Sequence, residues 1–232
     1  MDETAETRLT AARESIAAEN AKDADLEILA SHGNLEDLST LIGKLPDNGK
    51  TAGNLFRRLF EQDAAGVIGR LSAEPIDFNE TESPAKKLVI EAFTETLGES
   101  HLGALIRLAA AAPKNGLAQC ALDACRALDD RVSTNMARIL TGNFLSFKPD
   151  SKEREAVISL LAAFGESAII EIKQAMALAW EMDREKLESL ITELEPKPEI
   201  KEVPAPVEEP AVKGAYAGEK KEPPELTGSF TI

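Results

Sequence analysis

The 232-residue sequence predicts an all-α protein, a stack of helical hairpins that runs into an unfolded tail. Three observations carry that expectation. Apolar residues recur at helical spacing through residues 23–194, and Gly, Pro, Asn and Asp interrupt them often. The turns fall near Glu61, Gly98, Asp129 and Gly165, at intervals of 37, 31 and 36. Residues 195–232 hold seven of the twelve prolines, with eight Glu and five Lys and no Asp, Arg or Cys. Composition agrees: hydrophobic residues are 43% of the chain but aromatics only 4%. Small and aliphatic side chains suit closely packed helices better than a sandwich of strands.

The elements follow in order. Residues 1–22 read as an N-terminal helix or cap, acidic from Asp2 and without the basic and apolar regions of a signal peptide. "LEILASHGN" is a helix that stops near Gly33, and "LEDLSTLIGKLPDNGK" one that stops at Pro46, Asn48 and Gly49. "TAGNLFRRLFEQ" and "DAAGVIGRLSAEP" make two more. "IDFNETES" is an irregular acidic loop, with Phe78 as a possible docking anchor. "SPAKKLVIEAFTETLGES" opens with Ser83 as N-cap and Pro84 in the first helical position. "HLGALIRLAAAAPKNG", "LAQCALDACRALDD" and "RVSTNMARILTGN" follow. "PDSKEREAVISLLAAFGES" starts on a capping box of Asp150 and Glu153. "AIIEIKQAMALAWEM" and "DREKLESLITEL" end the ordered part. Trp180, with Met176, Met182, Leu187, Leu190 and Ile191, is expected to close the open end of the stack. Phe144 and Phe147 are expected to plug the core.

Internal similarity ties the hairpins together. At an offset of 37, Phe56, Gly66, Arg70, Leu71 and Ala73 fall on Phe93, Gly103, Arg107, Leu108 and Ala110. At an offset of 67, Gly98-Glu99-Ser100 falls on Gly165-Glu166-Ser167. Asp63, Ser100 and Ser167 share one register position after their turns, where each is expected to cap the helix that follows. A hairpin repeated every 30–40 residues is the mark of an α-solenoid, in which stacking buries faces that one hairpin cannot. With Gly-Glu-Ser between its helices, the chain resembles the HEAT/armadillo class, in particular short bacterial HEAT-like repeats, over roughly residues 23–180. The resemblance implies a right-handed α-solenoid of about five hairpins spanning 23–194, whose second helices line a concave face. It would place Arg70, Arg107, Arg138 and Lys173 along that face as a basic ladder. Such a ladder either bridges neighbouring repeats or receives an acidic or carboxylate-bearing segment of a partner.

Other chemistry finds little support. Net charge is −15, of which the tail contributes −3, so the acidity belongs to the helical part. A phosphate backbone would be repelled on average, so neither nucleic-acid binding nor docking on anionic membrane is expected. No apolar run reaches the length of a membrane span. Cys120 and Cys125 lie about 140° apart on a helix and read as buried small residues, neither paired nor metal-binding. His32 and His101 stand alone at helix ends, without the partners of a zinc site or a catalytic base. "GKLPDNGKT" misses the spacing of a phosphate-binding loop, lacks a preceding strand and contains Pro46. No catalytic residue, metal, cofactor or small-molecule substrate is inferred.

The tail, 195–232, is expected to be disordered, but three apolar islands interrupt it: "EIKEV", "VKGAYAG" and "LTGSFTI". Tyr216, Leu226, Phe230 and Ile232 are candidate partner contacts. The last three would share one face of an added strand. The sequence therefore predicts a non-enzymatic cytoplasmic adaptor or scaffold that binds other subunits of a larger assembly through a repeat surface and a tethered peptide. The alternative is a HEAT-like helper subunit or client chaperone of a modifying, lyase-like enzyme.

Overall fold

The computed structural model describes residues 3–195, within the first of the chain's two units, Met1–Pro196 and Lys197–Ile232. Among the described residues there are eleven α-helices and no strand. In chain order they are α1 (Glu3–Ala17), α2 (Asp23–His32), α3 (Leu35–Gly43), α4 (Gly49–Ala73), α5 (Pro84–Thr96) and α6 (Leu102–Ala111). They continue as α7 (Leu117–Ala127), α8 (Asp130–Ser146), α9 (Lys152–Phe164), α10 (Glu166–Leu178) and α11 (Glu181–Leu194). A single 3-10 turn, Glu99–His101, leads into α6.

Each helix is set by a local cause. In α1, Leu9, Ala12 and Ile16 fall at i, i+3 and i+7 and are buried. Arg13 ties α1 to α3 with a forked pair of bonds to Asp37, 2.7 and 2.8 Å long. Asn34 caps α3 by accepting from the amides of Glu36 and Asp37, and Asp37 accepts in return from the Asn34 amide. The two helices predicted around Glu61 form one element, α4, kinked at Asp63 (φ −150°, ψ 77°). There Asp63 accepts from the Gly66 amide at 2.9 Å, in the capping role expected of it. Ser100 and Ser167 do not share that role. Ser100 lies in the 3-10 turn, Ser167 lies inside α10, and neither α6 nor α10 has a side-chain cap. In α9 the cap is Ser151, which accepts from the Arg154 amide, because the helix starts one residue later than the Asp150–Glu153 pattern implies. Ser83 and Pro84 open α5 as expected, although the Ser83 side chain makes no cap bond.

The helices pack in a recognisable order. On one side α2 lies against α4, α4 against α5, α5 against α7, and α7 against α9. On the other, α3 lies against α4, α4 against α6, and α8 against α10. An unbroken ladder would set α6 on α8, but α6 makes its main contact with α9, which also meets α7, α8, α10 and α11. The departure falls at the shortest interval between turns, the 31 residues between Gly98 and Asp129. The sequence of α6 permits it. Arg107 is its only charged residue, and Leu102, Ala104, Leu105, Ile106 and Leu108 are all buried. In α9, Ala156, Val157, Leu160, Leu161, Ala163 and Phe164 are buried to match.

The loops are fastened as well. Between α4 and α5, Phe78 is fully buried and its amide donates to the Asn115 carbonyl at 2.7 Å. Asn79 donates to the Lys114 carbonyl at 3.0 Å, and the Asn115 side chain donates to the Leu71 carbonyl at 2.8 Å. The acidic loop is thus solvated around its carboxylates but anchored inward by Phe78, which excludes Phe78 as an exposed docking anchor. Phe144 is buried beneath the Arg154 guanidinium, 4.2 Å above its ring, and Phe147 packs against the core. Phe144 plugs the core as expected, and Phe147 does so in part.

Candidate functional site

The residues singled out for partner binding sit on alternate helices: Arg70 on α4, Arg107 on α6, Arg138 on α8 and Lys173 on α10. Their surroundings divide them. Arg70 pairs with Glu74 at 2.8 Å and donates to the Ser39 hydroxyl of α3 at 3.1 Å. Arg138 donates to the Glu171 carboxylate of α10 at 3.0 Å, and Glu171 is only 4% exposed. These two cations fasten one helix to its neighbour, and Arg138 supplies the counter-charge that a buried carboxylate requires. Arg107 and Lys173 are exposed and make no side-chain hydrogen bond or ion pair with another of the described residues.

Arg107 stands at the rim of a groove of about 290 Å³ between α4 and α6. Its walls are Ala65, Ile68, Gly69 and Ser72 on one side and Ala104, Leu108 and Ala111 on the other. Small side chains leave the floor shallow and apolar, and one unpaired guanidinium overlooks it. Such a groove can seat an aliphatic side chain and hold an adjacent carboxylate in a forked contact.

His101 closes an aromatic cluster. Phe56, Phe60 and Phe93 meet at centroid distances of 5.2–5.5 Å, and the imidazole lies 4.8 Å from Phe60. Its Nδ1 is buried without a hydrogen-bond partner among the described residues. Burial lowers the His101 pKa below the usual histidine value, opposed in part by the nearby Glu61 carboxylate. Cys120 and Cys125 are buried in α7, where burial raises their thiols to about 11 and about 12. A thiol held so far from its thiolate is a poor nucleophile and a poor metal ligand.

Trp180 overturns its expectation. It is 86% exposed, and Leu178 and Met182 beside it are 90% and 73% exposed. The reason is local. α10 ends at Leu178, and Ala179 and Trp180 run extended before α11, so Trp180 projects from a corner. In this region Leu187 and Leu190 are buried instead, and Met176 and Ile191 pack partly buried against the core. Arg58 was not legible in the sequence either: its guanidinium donates to the carbonyls of Ala30, at 3.1 Å, and Gly33, securing the end of α2. Tyr216, Leu226, Phe230 and Ile232 lie outside the described residues.

No family model matches the chain, and neither a curated protein nor a solved structure does so. Among the described residues, no group of His, Cys, Asp and Glu is placed to hold a metal ion, and no helix is long and apolar enough to cross a membrane.

Proposed function

We propose that this chain is a non-enzymatic adaptor or scaffold subunit of a cytoplasmic assembly, built as a HEAT-like α-solenoid. In this reading it holds other proteins on the surface of residues 23–194, while residues 195–232 act as a tethered second contact through Tyr216, Leu226, Phe230 and Ile232. The observation that carries the reading is the groove between α4 and α6 with the exposed Arg107 at its rim, which has no ion partner among the described residues. A guanidinium beside an apolar groove can hold a carboxylate next to an aliphatic side chain, so this contact carries chemical specificity. A flexible second contact raises the effective concentration of the first.

The test uses the double variant Arg107→Glu, Lys173→Glu, because neither side chain supports a neighbour. Arg138 is unsuitable, since its removal would strand the Glu171 carboxylate in the core. Purified from the native host, the wild-type chain is expected to bring down defined partners. The double variant, with unchanged helicity and melting temperature, is expected to lose those held by the groove, at a cost of about 1.5–3 kcal/mol per lost charged contact. Deletion of residues 196–232 is expected to weaken retention further. Equal recovery of every partner by both variants rejects the reading. Intact complexes with loss of a modification activity would instead assign the chain to the helper-subunit class.

A further inference from the structure

The corner between α10 and α11 carries an apolar surface that the core does not use. Leu178 ends α10, Trp180 is the N-cap of α11 and Met182 lies in its first turn, and all three project into solvent. Soluble proteins bury tryptophan in most settings, and an exposed cluster of three large apolar side chains marks an interaction site. The charges beside the cluster identify its occupant. α11 carries five carboxylates against two cations. Both cations are engaged, Lys186 with Asp183 at 2.9 Å and Arg184 with the Met176 carbonyl at 3.4 Å. Glu181, Glu185 and Glu188 have no ion partner among the described residues, and their spacing of four and three places them on one stripe of α11 that leads away from Trp180. The surface is thus apolar at one end and negative along the next two turns.

We propose that this corner is a docking surface for a basic amphipathic helix of another protein, whose apolar face covers Leu178, Trp180 and Met182 and whose Lys or Arg side chains meet Glu181, Glu185 and Glu188. The inference deepens the adaptor reading and rests on it, but at a place far along the chain from Arg107. A second copy of this chain fits poorly. It would bring the same carboxylate stripe against itself, and three side chains fall well short of the roughly 800 Å² that each partner contributes to a stable interface. A basic helix gains the missing area along α11 and neutralises the stripe as it does so.

Trp180 is the only tryptophan in the chain, so its fluorescence reports on this corner alone. The test titrates the full-length protein at low salt with a synthetic Leu/Lys amphipathic peptide of about 18 residues, some five helical turns. A saturable blue shift of the Trp180 emission is expected, with affinity that falls about tenfold or more between about 50 and 500 mM salt. The triple variant Glu181→Lys, Glu185→Lys, Glu188→Lys is expected to lose about tenfold or more in affinity, and Leu178→Ser with Met182→Ser a comparable amount. All five positions are exposed, so these variants keep the buried Leu187 and Leu190 in place. The proposal fails if no shift occurs with excess peptide, or if an acidic Leu/Glu peptide binds equally well. A concentration-dependent shift without peptide, with a doubled mass, overturns it in favour of a second copy. A shift with phosphatidylcholine vesicles and none with peptide overturns it in favour of a lipid surface. Because the probe is synthetic, a negative result leaves the Arg107 and Lys173 experiment to stand or fall separately.

Discussion

Among single residues, His101 has the most distinctive environment. It takes the place of a fourth aromatic ring beside Phe60, and the protein accepts an unpartnered Nδ1 to keep it there. Burial lowers its pKa in the folded state, so the unfolded chain binds the proton more readily. The sign follows. Stability from this group is whole above the unfolded value near 6.5 and declines as pH falls through that value, levelling off below the depressed folded one. His101→Phe keeps the ring and removes the titration. The wild type is expected to lose more stability than this variant between pH 7.5 and 5.5, measured as the shift in urea midpoint of each. Equal shifts would mean that His101 does not contribute to the acid response. Arg107 and Arg138 make a second residue-scale contrast. They share one register in the sequence, yet the first has no partner among the described residues and the second holds a buried carboxylate. Sequence register could align them but could not assign their partners, because Glu171 lies 33 residues beyond Arg138.

Individual elements were well legible, since their signals are local. Pro84 opening α5, the break at Pro46 to Gly49 and the change of helix near Asp63 all sit where the sequence places them. Turns were read less well. The triplet Gly-Glu-Ser occurs before α6 and again at the start of α10, and identical letters suggest one turn used twice. The backbones differ. Gly98 is extended (φ −163°) and followed by a 3-10 turn, whereas Gly165 has φ +57° and ψ −124°. Only the second conformation favours glycine. Gly165→Ala is therefore expected to destabilise the protein by about 1 kcal/mol or more. Gly98→Ala, with open space around the added carbon, is expected to change stability by less than about 0.5 kcal/mol. Urea unfolding of the two variants checks this, and equal losses would contradict it. Trp180 departs from its expected place for a related reason: the chain leaves the helix at Ala179 and runs extended into α11.

For the whole molecule, the sequence conveyed the all-α class and missed how the middle helices are joined. Periodicity describes one helix and its near neighbours in the chain, and the contact of α6 with α9 joins helices about 40 residues apart. The two cysteines of α7 offer a global probe, because α7 is held between α5 and α9. At pH 8 neither thiol is expected to react with a chromogenic disulfide in the folded state. Both are expected to become reactive together, along the same urea transition as the loss of helicity. Reaction well before that transition would show α7 opening by itself. The α6–α9 contact also has a consequence in time. α6 ends at Ala111 and α9 starts at Lys152, so the ribosome must make the intervening chain, and α9 itself, before α6 meets its main neighbour. At about 5–20 residues per second, a helix with a single charged side chain waits for seconds with its apolar faces uncovered. The newborn chain is therefore most in need of shielding after its middle has been made and before α9 has emerged.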